Sequence, residues 1–184
     1  TDEALAASTR LYNRKRALLG ELYQLRKNTI LPIKGSEFLA IMLAVTAVPA
    51  ETAIDIVEQV LSEIKGRDIS RPNDTRIFMA AGHMEEIDHM ELLEDCGAAV
   101  VGDNLCMGLR HFDGLADETA DCVSSLAKRY LGEGGPGTLT ETQLDLRQYP
   151  GPGWIGALRS AEIRGPLDEG SPSRSLFDAV PWPR

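Results

Sequence analysis

Apolar positions recur at helical spacing through the first third of the chain. Between Glu3 and Lys27, Leu11, Leu18, Leu19, Leu22 and Leu25 stand among charged neighbours, which predicts a long amphipathic helix with one buried face. Pro32 stops it. Lys34, Gly35 and Ser36 then supply a turn, with Ser36 as the N-cap of a second helix from Glu37 to about Ala47. Pro49 can occupy the first turn of a third helix, Ala50 to about Lys65, where its missing N–H is not needed, and Gly66 closes that helix. The period then changes. Residues 76–81, RIFMAA, are short, apolar and followed by Gly82, which predicts a strand buried on both faces. Glu85 to Cys96 returns to helical spacing through Ile87, Met90, Leu92 and Leu93, with carboxylates in the first turn to complement the helix dipole. Ala98 to Gly102 is a second strand, so residues 76–102 form one β-α-β unit of the kind that builds doubly wound parallel sheets. A further helix is expected from Ala116 to Tyr130.

Beyond Leu131 the pattern breaks down. Residues 132–184 hold nine of the 17 glycines and seven of the 10 prolines with no steady apolar period, which predicts an irregular tail that buries no core. The chain therefore divides into a helical lead-in (1–70), an α/β part with a small Rossmann-like βαβ layer of parallel strands (71–131) and a Gly/Pro-rich tail (132–184). At 184 residues there is room for one sizeable core. The chain begins without Met, and we expect it to be cut from something longer, with the tail a truncated or frame-shifted reading.

Composition narrows the function classes. A net charge of -9 argues against nucleic-acid binding, which rests on clustered Lys and Arg. Phe38 to Val48, the longest apolar run, falls short of the roughly 20 residues a membrane span needs and reads as a buried helix. The three cysteines, Cys96, Cys106 and Cys122, are odd in number and contain no CxxC pair, so they form no disulfide framework and suit a reducing, cytoplasmic setting.

Cys106 is the sharpest candidate for chemistry. Ligands and cofactors gather at the carboxyl ends of parallel strands, and Cys106 lies four residues beyond the expected end of the second strand. A thiolate there can ligate iron, with the other ligands of an iron–sulfur cluster coming from elsewhere. The same residue also reads as a small buried hydrophobe. Cys96 and Cys122 fall within predicted helices, on inward faces. Glu86, Ile87, Asp88 and His89 have the Glu-x-x-His spacing of carboxylate-bridged di-iron bundles, but that site needs a second copy, and a solvated helix face accounts for His83, Glu85 and the rest equally well. Residues 132–137, GEGGPG, match the letters of a dinucleotide fingerprint, yet follow a helix and contain Pro136. Neither a P-loop nor a GxSxG elbow occurs. Arg110 and His111 can place positive charge beside an anionic cluster or a CoA thioester, or serve as capping and salt-bridging groups.

The order of these features is recognisable. LYNRKR (11–16), ELYQLRK (21–27), GSE (35–37), a strand, and then GDNLCMGLR (102–110) resemble the 2-hydroxyacyl-CoA dehydratase and benzoyl-CoA reductase family, over about residues 5–131. Family members are oxygen-sensitive two-subunit enzymes whose subunits commonly hold a [4Fe-4S] cluster between α/β domains. An ATP-hydrolysing activator protein injects an electron, which passes to an acyl-CoA thioester; a ketyl radical then loses the hydroxyl or, in the reductases, an aromatic ring is reduced. The resemblance implies that Cys106 is the middle one of the cluster-ligating cysteines, and that Asp103 and Arg110 shape the loop or support the ligand. It assigns no catalytic acid–base pair. It also implies a second dehydratase or reductase subunit, the activator and an acyl-CoA as partners, with no nucleic acid and no membrane. Family subunits are about twice this length and carry an earlier and a later cysteine ligand that this chain lacks, so the chain in isolation is expected to be inactive. Two other readings stay open: a non-catalytic α/β scaffold or binding domain that has lost the cluster, and a nucleotide-binding α/β domain, which the missing glycine fingerprint weakens.

Overall fold

The computed structural model describes residues 1–131, apart from 72–73, 82–83 and 120, together with the backbone of 155–158. Three helices lead. The first, α1 (Asp2–Leu25), is capped by the Thr1 hydroxyl and carries Asp2 and Glu3 at its positive end. It packs with α2 (Gly35–Thr46) and α3 (Ala50–Glu63) around Leu19, Leu22, Phe38, Met42, Ala53 and Val57. All six are buried, as the three-and-four spacing requires.

The start of α2 differs from the sequence reading. Ser36 lies inside the helix and Lys34 occupies the cap position. The reason is a distant carboxylate. Glu94, itself buried, accepts from the N–H of Gly35 at 2.7 Å and of Ser36 at 3.4 Å, while the Ser36 hydroxyl donates to its other oxygen at 2.5 Å. A negative charge thus meets the unsatisfied donors at the positive end of α2, and Ser36 is committed to that carboxylate instead of to its own helix. Gly35 also lies against the second strand: a Cβ there would stand 2.6 Å from Val100 Cβ. Gly35→Ala is therefore expected to lower stability by about 1–2 kcal/mol through overpacking, read by urea denaturation; unchanged stability would mean that the strand yields freely.

Strands β1 (Thr75–Ala80) and β2 (Ala98–Asn104) run parallel and are joined by α4 (Ile87–Asp95). The layer is covered on both faces. Ile77, Met79 and Val100 pack with Leu39 of α2 and Met90 of α4, while Phe78, Ala99 and Val101 pack with Leu31. The fold class is α/β, helices first and a small parallel sheet after. A register shift between Ile77 and Phe78 brings Ala80 opposite Asn104, so β2 continues two residues past Gly102.

Two further differences concern the second half. Ile155–Leu158 forms a third strand, β3, parallel to β1, giving the order β2-β1-β3. These four residues correct the expectation of an irregular tail; the rest of 132–184, including the GEGGPG stretch, lies outside the described residues. The helix expected from Ala116 starts only at Cys122, as α6 (Cys122–Leu131), preceded by the single turn α5 (Leu109–Phe112). Asp117 and Asp121 explain the delay. Asp117 accepts from the N–H of Thr119 at 2.8 Å, folding a local turn, and Asp121 accepts from the N–H of Ser124 at 2.9 Å, capping α6. Among the described residues no helix is long and apolar enough to cross a membrane.

Candidate functional site

The loop leaving β2 is organised by one carboxylate. Asp103 Oδ2 takes a charge-assisted hydrogen bond from Arg26 Nη1 at 2.5 Å, and its Oδ1 accepts from the N–H groups of Leu109 at 3.0 Å and Leu105 at 3.4 Å. Its backbone is held as well: the Tyr23 hydroxyl accepts from Asp103 N–H at 2.8 Å and donates to its carbonyl at 2.9 Å. Arg26 in turn donates to Val100 O at 3.0 Å and lies 4.5 Å from the ring centroid of Phe38 and 5.2 Å from that of Tyr23. The Arg26 and Asp103 side chains are only 1% and 2% exposed, so this is a buried ion pair joining the end of α1 to the end of β2.

Residues 103–109 close around that carboxylate. Gly108 is the point of closest approach, since a Cβ there would fall 1.8 Å from Asp103 Oδ1. Phe112, the last residue of α5, packs against Tyr23 and Phe38 with ring centroids 5.6 Å and 6.2 Å away. Within this fixed loop, Cys106 projects outward. It is exposed, which overturns its reading as a small buried hydrophobe. Arg110 donates from Nε to Asn104 Oδ1 at 2.7 Å and brings Nη1 to 3.8 Å from Cys106 Sγ. Asp103 at the end of β2, Cys106 in the turn that follows and Arg110 in α5 are thus drawn together at the carboxyl end of the strand.

The other candidates lie apart from it. Cys96 is exposed at the C-cap of α4, not on an inward helix face as expected, and Cys122 is half-buried at the start of α6. Glu86 and His89 stand 3.8 Å apart, and both side chains are about two-thirds exposed. His83 lies outside the described residues. Among the described residues no group of three or more His, Cys, Asp or Glu is placed to hold a metal ion. Cys106 therefore offers a single ligand, and a cluster of four irons would need others from beyond the described residues.

Beside the thiol lies a cavity of about 290 Å³. Tyr12, Lys15 and Arg16 of α1 form one wall, Cys106, Arg110 and His111 form another, and Tyr130 of α6 closes the side. The sequence argument from net charge missed this gathering of cations. Lys15 and Arg16 are only 6% and 8% exposed, although both carry charge. Lys15 Nζ donates to Val45 O at 2.7 Å, and Arg16 donates to Asn13 Oδ1 at 3.1 Å and to the Tyr130 hydroxyl at 3.5 Å. Burial, and next the charge of Arg16, push the Lys15 pKa down. A signal for Arg26 was present in the sequence: the steps Leu19, Leu22, Tyr23 and Arg26 place it on the apolar stripe of α1, where a cation requires a partner.

His111 reports the local field. Its ring is set into the cavity wall although the residue keeps an exposed edge. Desolvation, followed by the charges of Lys15, Arg129 and Arg16, lowers its pKa below 6.5. The unfolded chain then binds the proton more readily than the native one, so stability is full above about pH 6.5 and declines as pH falls toward the native pKa. His111→Gln is expected to flatten that decline in denaturation curves taken between pH 7 and pH 5; an identical decline in the variant would assign it to other groups. Glu37 acts in a separate window. Burial opposes its ionisation, but hydrogen bonds from Arg67 and from Lys34 N–H outweigh that and hold the carboxyl below 4.5.

The fold and the site define an α/β protein that presents one exposed thiol from a carboxylate-pinned loop at the end of a parallel strand. The chain belongs to the family described as 2-hydroxyglutaryl-CoA dehydratase, D-component, which matches residues 1–143. The matched span covers the six helices of the described residues, β1, β2 and the whole of the Cys106 loop. It extends at both ends beyond the 5–131 over which the sequence motifs resemble the dehydratases, and the family is that of a component of a dehydratase. A comparison with curated proteins returns no match.

Proposed function

We propose that this chain works as one subunit of a [4Fe-4S]-dependent (R)-2-hydroxyacyl-CoA dehydratase, or of a benzoyl-CoA reductase of the same kind, with Cys106 donating one thiolate to the cluster. The observation that carries the reading is an exposed thiol in a loop fixed by a buried ion pair at the carboxyl edge of the sheet, in a chain of the dehydratase D-component family. Bound there, the cluster would supply low-potential one-electron chemistry toward an acyl-CoA thioester. The chain's own residues supply placement: Asp103 holds the loop backbone, and Arg110 sets a positive group beside the sulfur. The companion subunit, an ATP-hydrolysing activator protein and the acyl-CoA are the partners of this reading. Its setting is the reducing cytoplasm, where three free thiols persist.

The test is the iron and acid-labile sulfide content of the chain produced anaerobically with its companion subunit. Wild type and Cys96→Ala are expected to carry iron, and Cys106→Ala to lose it while still folding. A colourless, iron-free wild-type complex after reconstitution with iron and sulfide would favour the scaffold that has lost its cluster.

A further inference from the structure

We infer that the cavity beside Cys106 is an oxyanion site, built to receive a carboxylate or phosphate group carried by an acyl-CoA. The assignment of the ligand to acyl-CoA rests on the proposed function; the charge of the cavity does not. Lys15 and Arg16 are more than nine-tenths buried on its wall, Arg110 of α5 lines it with them, and among the described residues the lining contains no Asp or Glu. Among the described residues neither Lys15 nor Arg16 is within ion-pair distance of a carboxylate. Their donors meet a backbone carbonyl, an amide oxygen and a phenol, which are hydrogen-bond partners but not counter-charges.

Contrast with Arg26 sharpens the point. That cation is equally buried, and the fold gives it Asp103. A buried charge left without a counter-ion is unfavourable by several kcal/mol, so two of them on one wall indicate an anion that the described residues do not provide. The volume of about 290 Å³ suits a single anionic group and the few atoms beside it, not an entire CoA. Tyr12 and Tyr130 add aromatic walls on either side. Because Cys106 lines the same cavity, an anion held by Lys15 and Arg16 would fix its molecule next to the sulfur.

The sulfur supplies the readout. The full chain is treated with iodoacetamide in the absence of iron, and the alkylation of Cys106 and of Cys96 is followed separately by peptide mass spectrometry, with glutarate or inorganic phosphate as the probe. Cys96 is exposed and does not line this cavity, so it serves as the internal control. Cys106 alkylation is expected to slow by about tenfold at a probe concentration about ten times its dissociation constant, with Cys96 unchanged. Protection by glutarate alone identifies the acyl carboxylate as the source of the anion, protection by phosphate alone identifies the CoA phosphates, and protection by both supports one site open to either. Arg16→Gln and Lys15→Met should each abolish the protection, and Arg110→Gln, nearer the surface, serves should the buried variants fail to fold. Unprotected Cys106 at millimolar concentrations of both probes, or protection that survives these substitutions, would overturn the inference. Neither result touches the iron measurement, so the two proposals fail separately.

Discussion

Arg26→Met is expected to destabilise the protein by about 3–5 kcal/mol, because it leaves the Asp103 carboxylate buried with no counter-charge. Asp103→Asn should cost less: the amide keeps the size of the carboxylate and an acceptor oxygen for Leu105 and Leu109, but faces Arg26 without charge. The pair Arg26→Met with Asp103→Leu should be less destabilising than the sum of the two single changes, since neither partner then remains as an isolated charge. Urea denaturation of wild type, Arg26→Met, Asp103→Leu and the double variant forms a double-mutant cycle. Strict additivity would show that the two side chains contribute independently and that the loop is held by something else. The site has a second stake in this pair: if the ion pair fixes the loop, Arg26→Met should also raise hydrogen exchange at the Leu109 N–H, which Asp103 Oδ1 holds in the native protein.

Gly108→Ala is the second large effect. A Cβ 1.8 Å from Asp103 Oδ1 lies deep inside van der Waals contact, and the obstructing carboxylate is itself held by Arg26 through its other oxygen, so neither side can give way cheaply. The loop must open and at least the Leu109 hydrogen bond must be lost, for a cost of about 3 kcal/mol. The consequence reaches function because Cys106 sits in the opened turn. With Cys106 as the proposed iron ligand, Gly108→Ala should lower the iron content of the assembled complex even where the protein stays folded by circular dichroism. The same change at Gly20, where a Cβ would meet no atom within 4 Å, provides the control and should be neutral or slightly stabilising. Equal behaviour of the two alanine variants would remove the argument that Gly108 is required by the closeness of the carboxylate.

The sequence made the helices and strands legible because their burial is local in period. Leu19, Leu22, Val57 and Ile77 occupy core positions that simple spacing predicts. The Cys106 loop was legible for a similar reason, as a short motif after an apolar strand. The partners that give the loop its shape were not. Asp103 and Arg26 are 77 residues apart and Glu94 and Ser36 are 58 apart, and no one-dimensional pattern pairs a carboxylate with a donor at that distance. The basic cavity was hidden by averaging. A net charge of -9 spread over the whole chain says nothing of where Lys15, Arg16 and Arg110 meet once α1 and the loop after β2 are packed together. β3 was hidden by composition, because four residues that follow GPGW become a strand through pairing with β1, not through any period of their own.

The bond proposed between Cys106 sulfur and iron is the point on which the functional reading turns. Its most direct test is electron paramagnetic resonance of the reduced complex, prepared anaerobically as wild type, Cys106→Ser, Cys96→Ser and Cys122→Ser. The account predicts that the signal of the reduced cluster is shifted or lost with serine at position 106 alone, because a change of ligand atom alters the electronic structure of the cluster. A spectrum in Cys106→Ser indistinguishable from wild type, with iron fully retained, would contradict it.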